Sequence, residues 1–228
     1  MGWVTPPARM AGYPEPIPAK QPGMNTPRLP ESVCRQTLEA NGIDLSKVAV
    51  LAVRGYYLDS MGRPAQNDRM IYDDAMFIVW PDGYAAFQAN TDPNGYRAGH
   101  GTGSEKGMAM LKPGIHLFGK GYHRDYPAFR QCEKFTVIRD GNPPYEDCGY
   151  HGINLHRGGI NSTSSLGCQT VPASSWESFR TILYRLLDEY DNPAIPNDRG
   201  QIVDSFPYVL IDETERRAGN LIVSRRYL

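Results

Sequence analysis

The sequence predicts a mainly β fold of the α+β kind, with an N-terminal helix and a second helix late in the chain. Three observations carry this. Between residues 48 and 156 the apolar residues come in short runs, each bounded by Pro, Gly, Asp or Asn. Met76–Trp80 and Tyr84–Gln88 are separated by Pro81-Asp82-Gly83, a strong hairpin signal. Trp176, Phe179, Ile182, Leu183, Leu186, Leu187 and Tyr190 fall at helical spacing on one face.

Residues 1–30 hold eight prolines and little periodic apolar pattern. They read as an extended, partly polyproline-like arm on the protein or on a partner, or as a disordered tail. Glu31–Asn41 fits a short helix with Val33, Cys34 and Leu38 near one face, stopped by Asn41-Gly42. Val48–Val53 suits a buried strand. Ile115–Phe118 follows Lys112-Pro113-Gly114, and Phe135–Arg139 ends at Asp140-Gly141. On the strand Gly152–His156, Ile153 and Leu155 point one way and Asn154 and His156 the other, which places the histidine in a cleft. Ser174 through Glu177 fits a capping box that starts the late helix. Tyr208–Ile211 is a final strand. Residues 31–212 form a single domain on this reading, and 213–228 a C-terminal tail.

The bulk numbers exclude several classes. The chain has 228 residues and is 40% hydrophobic, enough for a sizeable core. Its 24 basic and 25 acidic side chains leave no nucleic-acid footprint. No apolar run is long enough to span a bilayer, and no apolar stretch follows Arg9 as a secretory signal requires. Cys34, Cys132, Cys148 and Cys168 show no CxxC spacing. Two disulfides are the bland alternative, with Cys132 and Cys148 able to pair in an oxidising setting.

The segment from His156 to Cys168 carries the chemistry. A thiol attacks well only as a thiolate, and a nearby imidazole is the usual means of making one. The Gly/Ser/Thr residues between the two let the loop turn back, and Gly167 and Cys168 can aim backbone N–H groups at a developing oxyanion. His156, twelve positions before Cys168, is the preferred base; His151, seventeen before it, is the rival on the opposite strand face. Arg157 could hold a substrate carboxylate or be a solvated charge. Ser165, Gly158 and Asn154 complete the candidate substrate-binding set. All five histidines lie between residues 100 and 156, but none forms an HxH or HExxH pattern, so no metal and no cofactor is expected. Gly99–Gly103 is Gly-rich without the Lys-Ser/Thr of a P-loop. Asp68, Asp73 and Asp74 read most simply as a solvated turn.

At these residues the chain resembles the L,D-transpeptidase, or YkuD-like, catalytic domain over about residues 75–190. Leu155-His156-Arg157-Gly158 is similar to that family's strand ending in His-Gly, and Ser165-Leu166-Gly167-Cys168 to its Ser-x-Gly-Cys. The turn Lys112-Pro113-Gly114 and the helix after the cysteine fit as well. The chain departs from the pattern in three places. The gap from His156 is short, Gln169-Thr170 replaces an aliphatic-basic pair, which bears on donor binding, and Leu166 replaces a frequent histidine. The resemblance implies a curved mixed β-sheet sandwich with a helix after the catalytic cysteine. It implies cysteine-dependent acyl transfer on peptidoglycan stem peptides, with the carbonyl of Arg157 as third partner. The absent leader and the HRGG and Gly-Cys-Gln-Thr stretches point to a phage or prophage member, acting in a virion or at the host envelope. A non-catalytic virion or wall-binding protein on the same scaffold is the alternative, with a virion or protein partner met through the arm.

Overall fold

The structure, a computed structural model, describes residues 26–213. Most of the expected arm and nearly all of the tail lie outside these residues. The chain runs through α1 (Glu31–Ala40), β1 (Ala49–Arg54), β2 (Asp74–Trp80), β3 (Gly83–Ala89), β4 (Ala109–Leu111), β5 (Gly114–His123) and β6 (Tyr126–Gln131). It continues through β7 (Phe135–Arg139), β8 (Tyr145–Gly149), β9 (Asn154–Arg157), β10 (Gln169–Val171), α2 (Ala173–Glu189), β11 (Ala194–Pro196) and β12 (Ile202–Asp212). The protein is mainly β, as the punctuation of the sequence predicts.

Eight strands form one mixed sheet in the order β10-β9-β6-β5-β12-β1-β2-β3, with β11 added beside β12. The sheet curls until its ends nearly meet: Asn90, just past β3, exchanges both backbone hydrogen bonds with Thr170 of β10 at 2.8 Å. The result is a nearly closed barrel-like sheet, and closure leaves few unpaired edge groups. Two pairs are parallel, β1 with β12 and β9 with β10. The short strands β4, β7 and β8 make a second, small sheet.

β1 is buried along its whole length because both of its faces are covered. Val50 and Ala52 join Met76, Ile78, Phe118, Phe129, Phe206 and Tyr208 in the main core. Ala49, Leu51 and Val53 face the other way, with Phe77 and Val79, and are covered by Cys34 and Leu38 of α1. Val33 instead stays 39% exposed. Helix α1 ends in a Schellman arrangement: Gly42 (φ +75°) donates to Glu39 and Ile43 to Leu38.

The predicted stripe on α2 is a core face, with Trp176, Phe179, Leu183, Leu186 and Leu187 buried. Its expected capping box is corrected. Pro172 (φ −48°) occupies the cap position without a side-chain cap, the helix starts at Ala173, and Glu177 pairs with Arg180. Proline's fixed φ presets the helical entry, so no serine cap is required.

All four cysteines are free thiols, Cys132 buried and Cys148 exposed, so the disulfide alternative left open by the sequence is not the one formed here. One further expectation changes. The acids Asp68, Asp73 and Asp74 are buried rather than solvated. Asp74 accepts the N–H groups of Gly55 and Thr91 at 2.6 Å each and the Thr91 hydroxyl at 2.8 Å. Nearby, the buried Arg54 donates to Thr91 and to the Leu111 carbonyl and pairs with Asp92. Burial, with Asp92 beside it, pushes the Asp74 carboxyl up to about 7. The cluster knits the two loops that follow β1 and β3 into the barrel end.

Candidate active site

β9 and β10 run parallel and in register, Leu155 beside Gln169 and His156 beside Thr170. Continued by one residue, that register sets Cys168 opposite Asn154. The bonding agrees: the N–H of Asn154 points at the Cys168 sulfur at 3.4 Å. The thiol itself reaches the Gly152 carbonyl at 3.8 Å. His156 lies two residues along β9 from Asn154, so alternation puts those two side chains on one face of that strand.

The turn into Cys168 is built by small residues for a reason visible in its bonds. The Ser165 hydroxyl donates to the Cys168 carbonyl at 2.6 Å and accepts the N–H of Gly167 at 3.1 Å. Gly167 sits at φ +136°, and a Cβ there would overlap the Ala109 carbonyl oxygen. From the barrel side Gln169 donates to the Gly167 carbonyl at 3.2 Å and accepts the Tyr208 hydroxyl at 2.8 Å. Asn94 donates to the Ser165 carbonyl at 2.7 Å. The preceding loop is tethered by the Tyr72 hydroxyl, which donates to Gly159 O at 2.8 Å.

These bonds show what three of the candidate residues do locally. Ser165 is buried and its hydroxyl clamps the turn. Gly167 spends its N–H on Ser165, whereas the Cys168 N–H has no acceptor among the described residues and is the one oxyanion donor of the expected pair left open. Gly158 donates its N–H to Val171 at 2.8 Å and packs against the Tyr72 hydroxyl. Gln169 and Thr170, whose departure from the family pattern bore on donor binding, are both fully buried and serve barrel closure.

His156 is nearly covered, not open in a cleft, at 3% exposure. Its Nδ1 lies 2.8 Å from the Arg157 carbonyl oxygen. A carbonyl only accepts, so that nitrogen carries the proton and Nε2 keeps the lone pair. The Tyr126 hydroxyl lies 3.3 Å from the same Nδ1. Burial, then the neighbouring His123, holds the imidazole down to about 4. Burial likewise raises the Cys168 thiol, against the Asn154 N–H and the charge of Arg130. The residue as a whole is half-buried. Both shifts favour the neutral forms of the two groups near pH 7.

His151 is engaged elsewhere. Its Nε2 lies 3.1 Å from the Asp147 carbonyl and its Nδ1 3.3 Å from the Arg139 guanidinium, both on the small sheet. Arg157 is exposed, lies over the Tyr126 ring at 5.0 Å, and makes no ion pair among the described residues. Asn154, 6% exposed, brings its amide to His123 Nδ1 at 3.0 Å.

His123 and Tyr126 were not among the sequence candidates. They are register partners at the β5–β6 turn, where Arg124 takes φ +56°. Arg-Asp is not the Asn-Gly that announces such a turn, so the hairpin gave little local signal. Among the described residues no group of His, Cys, Asp or Glu converges to hold a metal. No helix among them is long and apolar enough to cross a membrane. Compared with known proteins, the chain matches no family model, no curated protein and no solved structure.

Proposed function

We propose that the protein is a cysteine-dependent acyl transferase or peptidase acting on peptidoglycan stem peptides through a thioester. The observation that carries the chemistry is the tautomer-fixing contact of His156 Nδ1 with the Arg157 carbonyl at 2.8 Å, one parallel strand away from a partly exposed Cys168. The substrate class rests on the resemblance of Leu155-His156-Arg157-Gly158 and Ser165-Leu166-Gly167-Cys168 to the L,D-transpeptidase family. On this reading the curled sheet with a helix after the cysteine is the L,D-transpeptidase kind of sandwich.

In this mechanism His156 Nε2 takes the thiol proton as Cys168 Sγ bonds to the carbonyl carbon joining the L-centre to D-alanine. The carbonyl oxygen becomes an oxyanion beside the N–H of Cys168. The C–N bond then breaks, and His156 returns the proton to the departing D-alanine amine. An amine acceptor or water next attacks the thioester and gives its proton to His156; the C–S bond breaks, and His156 passes that proton to the departing sulfur, restoring the thiol. The guanidinium of Arg157, without an ion pair among the described residues, would hold a stem-peptide carboxylate on this reading. A phage or prophage source, with delivery in a virion or release at the host envelope, accompanies this proposal.

The second reading is a non-catalytic virion or wall-binding protein. It is favoured by the thiol's own bonds, which run to Gly152 O and from Asn154 N rather than to an imidazole. Incubation of purified sacculi with wild type and Cys168→Ala decides between them. The enzyme reading expects changed muropeptide masses with the wild type alone. Unchanged profiles together with pelleting that survives loss of the thiol support binding.

A further inference from the structure

His123 and His156 lie face to face, ring centroids 3.9 Å apart and planes 8° from parallel. They come from different parts of the sheet, the tip of the β5–β6 hairpin and β9. Asn154 ties the same imidazole to the nucleophile's surroundings: its side chain meets His123 Nδ1 at 3.0 Å while its backbone N–H meets the Cys168 sulfur at 3.4 Å. We propose that His123 is a positioning residue for His156, a flat imidazole lid that shields one face of the base and fixes its plane relative to the Cys168 strand. The inference rests on the acyl-transfer reading for its catalytic meaning, but its physical content is separate from turnover.

The surroundings favour a single neutral pair. Two imidazoles at stacking distance cannot both take a proton without strong repulsion. The charged and titratable groups around them are mostly cationic. Arg124 adjoins His123 in the turn, and Arg130 projects from β6, paired with Asp198 at 2.5 Å. Arg157 projects from β9 over the Tyr126 ring, and the remaining neighbours, the Tyr126 hydroxyl and the Cys168 thiol, are neutral near pH 7. Burial and the neighbouring arginines lower His123 as burial and His123 lower His156. A base kept neutral in this way can accept the thiol proton in mildly acid surroundings, where an ordinary histidine is already protonated.

The test is the NMR titration of the His156 imidazole in the full chain, comparing wild type, His123→Ala and His123→Phe. Loss of the ring uncovers His156 and removes the like-charged neighbour, so His123→Ala should raise its titration midpoint by roughly one unit or more. His123→Phe restores the flat cover without the charge, and its midpoint should lie between the other two. An unmoved midpoint in both folded variants overturns the proposal, and the phenylalanine variant keeps the test open if the alanine one fails to fold. Release of D-alanine by the wild type is measured alongside. Its absence defeats the acyl-transfer reading, while the titration still decides whether His123 governs His156.

Discussion

The backbone N–H of Asn154 meets the Cys168 sulfur at 3.4 Å, across the parallel pair that β9 and β10 form. A backbone donor favours the thiolate, yet burial outweighs it and the thiol lies above its ordinary value. Iodoacetamide labelling of Cys168 should therefore be slow at pH 7 and climb steeply only above about pH 9. Peptide mass spectrometry in a Cys148→Ser background isolates the site from the exposed thiol. A labelling plateau already reached below pH 7 contradicts the neutral resting pair.

The Tyr208 hydroxyl donates to Gln169 at 2.8 Å, and both side chains are fully buried. Tyr208→Phe leaves a buried amide oxygen without that donor and should cost about 1–3 kcal/mol in urea unfolding. Gln169→Ala should cost a similar amount, and the double variant less than the sum, because the two share one bond. Strict additivity would show that the pair does not brace the turn into Cys168.

Gly167 and Gly42 both hold positive φ, but only at Gly167 would a Cβ meet backbone. Gly42→Ala should lower stability by about 1 kcal/mol through conformation alone. Gly167→Ala adds overlap with the Ala109 carbonyl and should cost more, about 2–4 kcal/mol, with loss of Cys168 labelling specificity. Equal costs in thermal unfolding would refute the close approach.

What was legible in the chain was local. The run Val48–Val53, the Pro81-Asp82 hairpin and the stripe from Trp176 depend on neighbours within a few residues, and β1, the β2–β3 pair and α2 formed there. Strand β12 was foreseen only in part: it extends back to Ile202 through Ser205 and Pro207, whose types interrupt an apolar pattern. The candidate pair His156 and Cys168 was legible as a motif, and it falls on or just before the paired strands β9 and β10. The roles of Ser165, Gln169 and the buried acids were not legible, because their partners are set by barrel closure. Gln169 meets Tyr208 39 residues away, and Asp74 meets Thr91 17 residues away. Nothing in a window around either residue reveals such partners.

His116 and His156 are both held down to about 4 by burial. Below the ordinary histidine range the unfolded chain takes up protons that the folded one refuses. Their contribution is thus intact above about pH 6.5 and is lost as pH falls toward 4. Asp74, raised to about 7, acts in the opposite sense, so single-site comparison is needed. His116→Gln should lose less stability than wild type across that window, by up to about 3 kcal/mol in urea titrations at stepped pH. Parallel stability curves for the two proteins would show that His116 does not titrate as described.

The central claim is that Cys168 forms an acyl bond with the help of His156. It is tested most directly by a synthetic stem tetrapeptide ending in D-alanine, with free D-alanine and the mass of the Cys168 peptide measured together. The account predicts D-alanine release with an acyl adduct on Cys168 in the wild type, neither signal in Cys168→Ala, and at least a hundredfold slower release in His156→Ala, on the order of what a positioned general base supplies. Release of D-alanine by Cys168→Ala at the wild-type rate, or an inert wild type, contradicts it.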